Sequence, residues 1–453
     1  MAVSRLFVAN RGEIALRVIR TAKRLGIETV LGVSAADADG LPAQMADRSV
    51  VLGPAPAKDS YLDVNLILHA ALATGCDALH PGYGFLSEKP ELSRRCAEED
   101  LTFIGPRPET IETMGDKLSA IAVAKSAGVK TVPGTDDIPN ARAAAHSAEE
   151  LGYPVVMKAS AGGGGKGMFL ARSPDGLETS FTEATREAEA AFGDGRLYME
   201  RFVERARHVE VQVVGDGEGN VVHFGDRDCS VQRRYQKLIE EAPVTAMPAA
   251  LRDDLWQSAV TLCAHARYRG AGTVEFLYDV AREDFYFIEV NSRIQVEHPV
   301  TEEITGHDLI EHQISAASGG GIAVAQDDLT FTGHAIEARI NAEDPEAGFR
   351  PAPGRLTAWD PPAGPGIRLD SHVRPGDLVP PFYDSMVGKL IVRGESREAA
   401  IEAMLRAIGD FRIDGITTTL PLAARIIAHP DFRSNDITTR WLEDHVLQPA
   451  EVA

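Results

Sequence analysis

Apolar residues run unbroken through "LFVA" at 6–9. They then recur every three to four positions through "GEIALRVIRTAKRLG" at 12–26. The first pattern predicts a buried strand, and the second an amphipathic helix stopped by Gly26. "IETVLGVS" is the next apolar run. Strand, helix and strand in close succession predict a parallel α/β sheet. Such units continue to "FIGP" at 103–106. A helix is expected at 116–127, with Asp116 as N-cap and Gly128 as stop. The turn-rich "TVPGTDDIPN" leads into a small α/β segment over 131–203, and strands and helices then mix to about 330. From "GHAIEARINAEDP" onward short strands dominate, with helices expected near 396–409 and 418–428. At 453 residues the chain is too long for one core, and two or three domains are expected.

Within the 131–203 segment stands "KASAGGGGKGM", residues 158–168. A P-loop needs Gly six residues before its Lys and a hydroxyl directly after it. Counting from Lys166, those positions hold Ser160 and Gly167. The flanks "YPVVMKAS" and "GMFLARS" are short, apolar and strand-like, so the glycines join two strands. Such a tip can close over phosphates with bare backbone N–H groups, or be only a surface hairpin; both readings stay open on this stretch. The turn "NRGE" has one Gly and gives no dinucleotide fingerprint.

The densest chemistry lies in "GTVEFLYDVAREDFYFIEVNSRIQVEHP", residues 272–299. "TVEFLYD" and "DFYFIEV" predict a hairpin, and pairing Asp279 with Phe285 sets Glu275 opposite Glu289. Two carboxylates side by side in apolar strands repel each other, and a divalent cation removes that cost. Asn291, two residues past Glu289, falls on the same face. Two carboxylates and an amide oxygen suit Mg²⁺ bound with a nucleotide better than they suit a solvated sheet face. If the alternation continues, Arg293, Gln295 and Glu297 face one pocket, a place for a small anion with a base beside it. Arg233, Arg234 and Lys237 crowd "DCSVQRRYQKLIEEAP", read equally as an anion site or as a solvated charged helix start. Lys117 sits in the first turn of its helix, where a bound phosphate would offset the macrodipole.

Net charge is −21, which argues against nonspecific binding to nucleic acid or an anionic membrane. Four cysteines stand far apart without a C-x-x-C, so reduced thiols and a cytoplasmic setting are expected. No apolar run reaches membrane-spanning length.

In order along the chain, "ANRGEIALRVIR", "HPGYGFLSE", "FIGP", "MGDK", "KASAGGGGKGM", "RHVEVQV", "DCSVQRRYQK", "EEAP", "RGAGTVEF", "NSRIQVEHPVTE" and "INAEDP" resemble the biotin carboxylase family of ATP-grasp enzymes. The resemblance covers residues 4 to 445. It implies an α/β, ATP-grasp fold in three units: a Rossmann-like N-terminal domain at 1–114, an ATP-grasp domain at 115–330 with a lid over 131–203, and a C-terminal domain at 331–453. It implies ATP-dependent carboxylation of biotin by bicarbonate through carboxyphosphate. Lys117, Lys158, Gly164, Gly165, Lys166, His208, Gln232 and Tyr235 are the implied ATP contacts, with Glu200, Arg201, Phe202 and Val203 along the adenine. Glu275, Glu289 and Asn291 are the implied ligands of Mg²⁺ or Mn²⁺. Lys237, Arg293, Gln295 and Val296 would hold bicarbonate and Glu297 would deprotonate it. Arg339 would stabilise the biotin enolate near Tyr83.

This chain has Tyr235 where the family commonly has His, Arg201 where Lys is frequent, and Ser292 where Thr or Pro is usual. It has no A-M-K-M-type biotin attachment site, so biotin is expected on a biotin carboxyl carrier protein or domain, with a carboxyltransferase as further partner. The resemblance also implies a homodimer, with Arg17 in the contact stretch. Acetyl-CoA or another acyl-CoA is the first expectation for the final acceptor, ahead of pyruvate and urea. Another ATP-grasp ligase of carbamoyl-phosphate type would leave "RIQVEHP" with "INAEDP" unexplained. A non-catalytic nucleotide-binding scaffold would be expected to lack some of these residues.

Overall fold

The unbroken apolar run forms β1 (Arg5–Val8), and the periodic stretch forms α1 (Gly12–Arg24), in a computed structural model that describes residues 3–161 and 167–447. β2 (Glu28–Ser34), β3 (Arg48–Gly53), β4 (Ala78–His80) and β5 (Thr102–Phe103) complete a five-stranded sheet in the order β3-β2-β1-β4-β5. All its pairings are parallel, as the strand–helix–strand pattern predicts. The Lys117–Ser126 helix begins where expected, with the Asp116 carboxylate accepting the Ser119 N–H at 2.9 Å.

β6 (Val155–Ala159), β7 (Met168–Ala171) and β8 (Leu197–Arg201) make a separate three-stranded antiparallel sheet. β6 and β7 are the hairpin expected around the glycines; Gly164, Gly165 and Lys166 themselves lie outside the described residues.

The central layer is an eight-stranded antiparallel sheet. Its strands are β9 (Ala206–Asp216), β10 (Val221–Arg233), β11 (Gln236–Ala242), β12 (Arg269–Asp279), β13 (Asp284–Asn291), β14 (His334–Asn341) and the segments Met386–Gly394 and Ile367–Ser371. Their order is β13-β12-β9-β10-β11-β14, then Met386–Gly394 and Ile367–Ser371. The sheet therefore runs unbroken across residue 330. Leu6, Val8 and Ile14 of the N-terminal layer pack with Val214, Phe224 and Ala271 of the central sheet in one core. That core fixes the N-terminal layer against the strands that carry the charged residues.

Two local expectations change. The stretch around Arg233–Lys237 is a tight hairpin between β10 and β11, not a helix start. Arg234 and Tyr235 both have positive φ (46° and 65°), the signature of a type I′ turn. The alternation through Arg293, Gln295 and Glu297 ends at Asn291, where β13 stops. Glu297 instead takes the N-cap position of the His298–Thr305 helix.

Candidate active site

The β12–β13 hairpin places Glu275 directly opposite Glu289, as predicted. The route to that pairing differs. At the tip Asp279 pairs with Asp284 and Phe285 with Tyr278, one residue off the predicted register. An irregularity between Glu275 and Phe276 leaves Ile288 as the extra residue on β13 and restores the pairing below it. β12 also pairs with β9, so Glu210 lies opposite Glu275 on its other side.

Lys237 joins this row. Its ammonium donates to Glu210 at 2.6 Å, Glu275 at 3.0 Å and Glu297 at 2.5 Å. Glu210 and Glu297 have no solvent exposure. Burial opposes charge on Lys237, yet the carboxylates around it hold the ammonium well above the usual lysine range. The Cys229 thiol beside it is pushed well up by its own burial, so the carboxylates carry the effect. Burial likewise works against ionised Glu297, but Lys237, Arg339 and Arg227 hold its carboxyl well below the usual range. Arg339 stands between two carboxylates, with Nε 2.6 Å from Glu240 and Nη2 3.0 Å from Glu297.

Asn291 and Gln295 both donate to Glu275 Oε1, at 2.9 and 3.1 Å. Arg293 donates to the Asn291 and Gln295 side-chain oxygens and to Glu88. The His208 ring lies 3.0 Å from Glu275 Oε2. Against the pull of burial, Glu275 raises the imidazole above its ordinary value. Gln232 meets the other ring nitrogen at 3.0 Å. Glu275, Glu289 and the Asn291 amide oxygen offer the hard oxygen donors a divalent cation takes. The set fits Mg²⁺: the two carboxylates are paired in register, and nearby cations compensate the charge that a metal would share.

Lys117 reaches this row from its helix, 2.6 Å from Glu289. Lys158 on β6 pairs with Glu200 on β8. Arg201 donates to the Tyr286 hydroxyl at 3.2 Å, and Phe202 and Val203 run from there towards β9. Tyr83 donates to buried Glu13, and Glu13 lies 3.3 Å from Lys389. Lys389 in turn donates to the Val296 carbonyl at 2.7 Å. Most of the residues singled out in the sequence thus join one series of contacts that runs from the small sheet through the central sheet to the N-terminal layer. Tyr235 does not: it sits at the β10–β11 tip, 54% exposed. Arg233 stacks over Phe349 at 4.0 Å, so it, Arg234 and Lys237 form no single basic patch. Arg17 is buried against Glu302 and Asp308 of its own chain.

Comparison with known proteins agrees along the whole chain. Residues 2–111 match the family described as "Biotin carboxylase, N-terminal domain" and 337–444 match "Biotin carboxylase C-terminal domain". Residues 116–324 match "Carbamoyl-phosphate synthase L chain, ATP binding domain". Biotin carboxylase 1 of Bacillus subtilis is 48% identical over 98% of this chain and 99% of its own. The chain belongs to the biotin carboxylase family. Among solved structures, a Campylobacter jejuni biotin carboxylase described as a β,γ-ATP complex is 44% identical, with a TM-score of 0.95 over 98% of this chain and 99% of that one. The biotin carboxylase domain dimer of Hydrogenobacter thermophilus 2-oxoglutarate carboxylase, with MgADP and bicarbonate, is 44% identical with a TM-score of 0.94 over the full length of both chains. This biotin carboxylase family member is thus an ATP-grasp ligase. Its parallel N-terminal sheet and antiparallel central sheet are the architecture of those neighbours.

Sequence reading missed Glu210, Arg227, Glu240, Glu88 and Lys389. Arg227 is fully buried and donates to Glu210 at 2.5 Å, and to Gln212, Thr273 and Thr301. A signal was present for Glu210, which breaks the apolar run "VEVQVV" at an alternating position. Lys389, in "VGKLIV", carried the same signal.

Proposed function

We propose that this chain carboxylates biotin held on a carrier protein or domain, using ATP and bicarbonate through carboxyphosphate. One observation carries the reading: a single ammonium, Lys237, joins the carboxylate row on β9 and β12 to Glu297, and Glu297 is joined in turn to Arg339. A metal-type pair, an anion-holding cation, a base and a second cation then follow each other without a gap.

In this reading Lys117, Lys158, His208, Gln232 and the glycine hairpin hold the triphosphate and ribose, with Glu200–Val203 along the adenine. Glu275, Glu289 and Asn291 would hold Mg²⁺, which would supply charge neutralisation at the phosphates. Lys237, Arg293, Gln295 and Val296 hold bicarbonate. Glu297 is ionised at rest and so is free to take the bicarbonate proton. When an anion draws Lys237 towards itself, Glu297 loses part of its cationic shield and becomes a stronger base. Bicarbonate oxygen bonds to the γ-phosphorus as ADP leaves. The carboxyl group then passes to biotin N1′ as phosphate leaves, with Arg339 stabilising negative charge on the ureido oxygen near Tyr83.

Acetyl-CoA or another acyl-CoA is the acceptor we propose for the carboxyl group, through a carboxyltransferase. The equal likeness to a 2-oxoglutarate carboxylase domain supports a second reading with an oxo-acid acceptor of the pyruvate type. We also propose a homodimer, in keeping with the dimer described for that neighbour. Among the described residues no helix is long and apolar enough to cross a membrane.

The test is ATP cleavage with and without bicarbonate, and with and without free biotin. Cleavage that requires bicarbonate and yields carboxybiotin when biotin is added is the expected outcome. ATP cleavage indifferent to bicarbonate would overturn the reading.

A further inference from the structure

Glu240 on β11 lies directly opposite Glu337 on β14. Both are without solvent exposure. Glu240 Oε1 accepts from Arg339, but its Oε2 has no hydrogen-bond partner, and neither oxygen of Glu337 has one. The same face is closed by Ala242, Ala335 and Ile391 with Val300 and Ile304 of the His298–Thr305 helix. The charged groups facing Glu240 are Arg339, Glu297 and Lys237. Those facing Glu337 are Lys389, Glu240, Arg339 and Glu297. Lys389 donates to the Val296 carbonyl and pairs with Glu13, and no hydrogen bond joins it to Glu337. His298 of the covering helix is held neutral by burial.

Three buried carboxyl oxygens therefore lack a donor, and the residues that own them face each other at cross-strand distance. Two full charges there would repel in a dry interior, and each unpartnered oxygen would carry its desolvation cost. One proton answers the first problem and most of the second, because it removes one charge and links two of the three unpartnered oxygens. We infer that Glu240 and Glu337 share a single proton, and that Glu240 is thereby a positioning residue holding Arg339 without cancelling its charge. With both carboxyls ionised, Arg339 would be ringed by Glu240, Glu337 and Glu297 and would have little positive potential to offer. Burial acts in the same sense on both groups, pushing Glu240 up to about 7 and Glu337 well above the ordinary range. The inference rests on the proposed role of Arg339 for its catalytic meaning, though not for the proton itself.

The proton is tested first, by infrared spectroscopy of the intact protein at mildly alkaline pH, where exposed carboxyls are ionised. A protonated-carboxyl carbonyl band in the wild type that disappears in Glu337→Gln is expected. Glu337→Met serves if the amide variant does not fold. No such band, or a band unchanged in both variants, overturns the inference. The stability readout has a definite sign. A carboxyl whose native pKa is raised makes the native state bind more protons than the unfolded chain, so its contribution falls as pH rises above the ordinary carboxylate value. The melting temperature of Glu337→Gln should therefore gain on wild type as pH rises from about 5 to 8. A difference that does not change with pH counts against a shared proton.

The positioning role is tested by kinetics. Glu240→Ala should lower kcat for carboxybiotin formation by about 10² while the KM for ATP stays unchanged. Glu240→Gln should restore most of the rate, since its amide oxygen still accepts from Arg339 and its NH₂ can donate to Glu337. Equal damage by Ala and Gln, or a raised KM for ATP, refutes the role. If wild-type ATP cleavage ignores bicarbonate while the infrared band is present, it is the proposed function that fails and not the shared proton.

Discussion

Glu275 and Glu289 face each other across β12 and β13; Glu240 and Glu337 do so across β11 and β14, in the same sheet. The backbone relation is the same in both pairs. The surroundings differ. Around the first pair stand Lys237, Lys117, His208, Asn291 and Gln295, and Glu289 keeps part of its side chain in contact with solvent. The second pair has Arg339 on one oxygen, Lys389 close by without a hydrogen bond to it, and the apolar side chains of the covering helix over it. Cross-strand pairing of two acids thus fixes only that a positive charge is needed. On the roles proposed above, the open setting would leave that need to a metal and the sealed one to a proton.

The sharpest way to break this contrast is at the first pair. Glu289→Gln should lower bicarbonate-dependent ATP cleavage by about 10³ with the circular dichroism spectrum unchanged, because one carboxylate is left to hold the cation. Excess chelator should stop the wild-type enzyme, and turnover that persists under chelation would show that no metal is needed there. Next comes Arg339→Ala, which should lower carboxybiotin formation by about 10²–10³ and leave much of the bicarbonate-dependent ATPase. Glu297→Gln should instead remove both activities together. Equal loss of both in Arg339→Ala would place that arginine in the bicarbonate step.

A smaller effect is expected one residue along. Glu241 points to the opposite face from Glu240 and meets His334 at 2.9 Å and Arg397 at 2.8 Å. Burial opposes its charge, but the hydrogen bond from His334 and the Arg397 guanidinium hold its carboxyl down to about 2. A lowered native pKa contributes stability above the unfolded value and loses it as pH falls through the native one. Glu241→Gln should therefore cost on the order of 3 kcal/mol at neutral pH, a gap that narrows from about pH 4 towards 2. Denaturant melts across that range measure it.

The difference between the pairs also explains what could be read before folding. Glu275 and Glu289 lie fourteen residues apart in one hairpin, so a local pattern of apolar alternation and a short turn was enough to oppose them. Even there the tip register was one residue out, because a bulge at Ile288 leaves no mark in composition. Glu240 and Glu337 lie nearly a hundred residues apart. Their pairing depends on β14 joining β11 after an excursion through three helices and a hairpin, which no local period records. The β1–α1–β2 unit and the Lys117–Ser126 helix were legible for the first reason, and Lys389 beneath Val296 was missed for the second. The hairpin at Arg234–Tyr235 was hidden because its two positive-φ positions carry neither Gly nor Asn.

Lys237 and Arg339 belong to neighbouring strands of one unbroken sheet, β11 and β14. Neighbouring strands are spaced at about 4.8 Å by their hydrogen bonds. The interval between the place where a carboxyl group would be activated and the place where it would be handed on is therefore set by ladder spacing, which no hinge or linker can stretch. An unstable mixed anhydride made at one end would have almost no journey to survive. Grafting a different β6–β7–β8 unit onto this sheet would alter which nucleotide is admitted and leave that interval untouched.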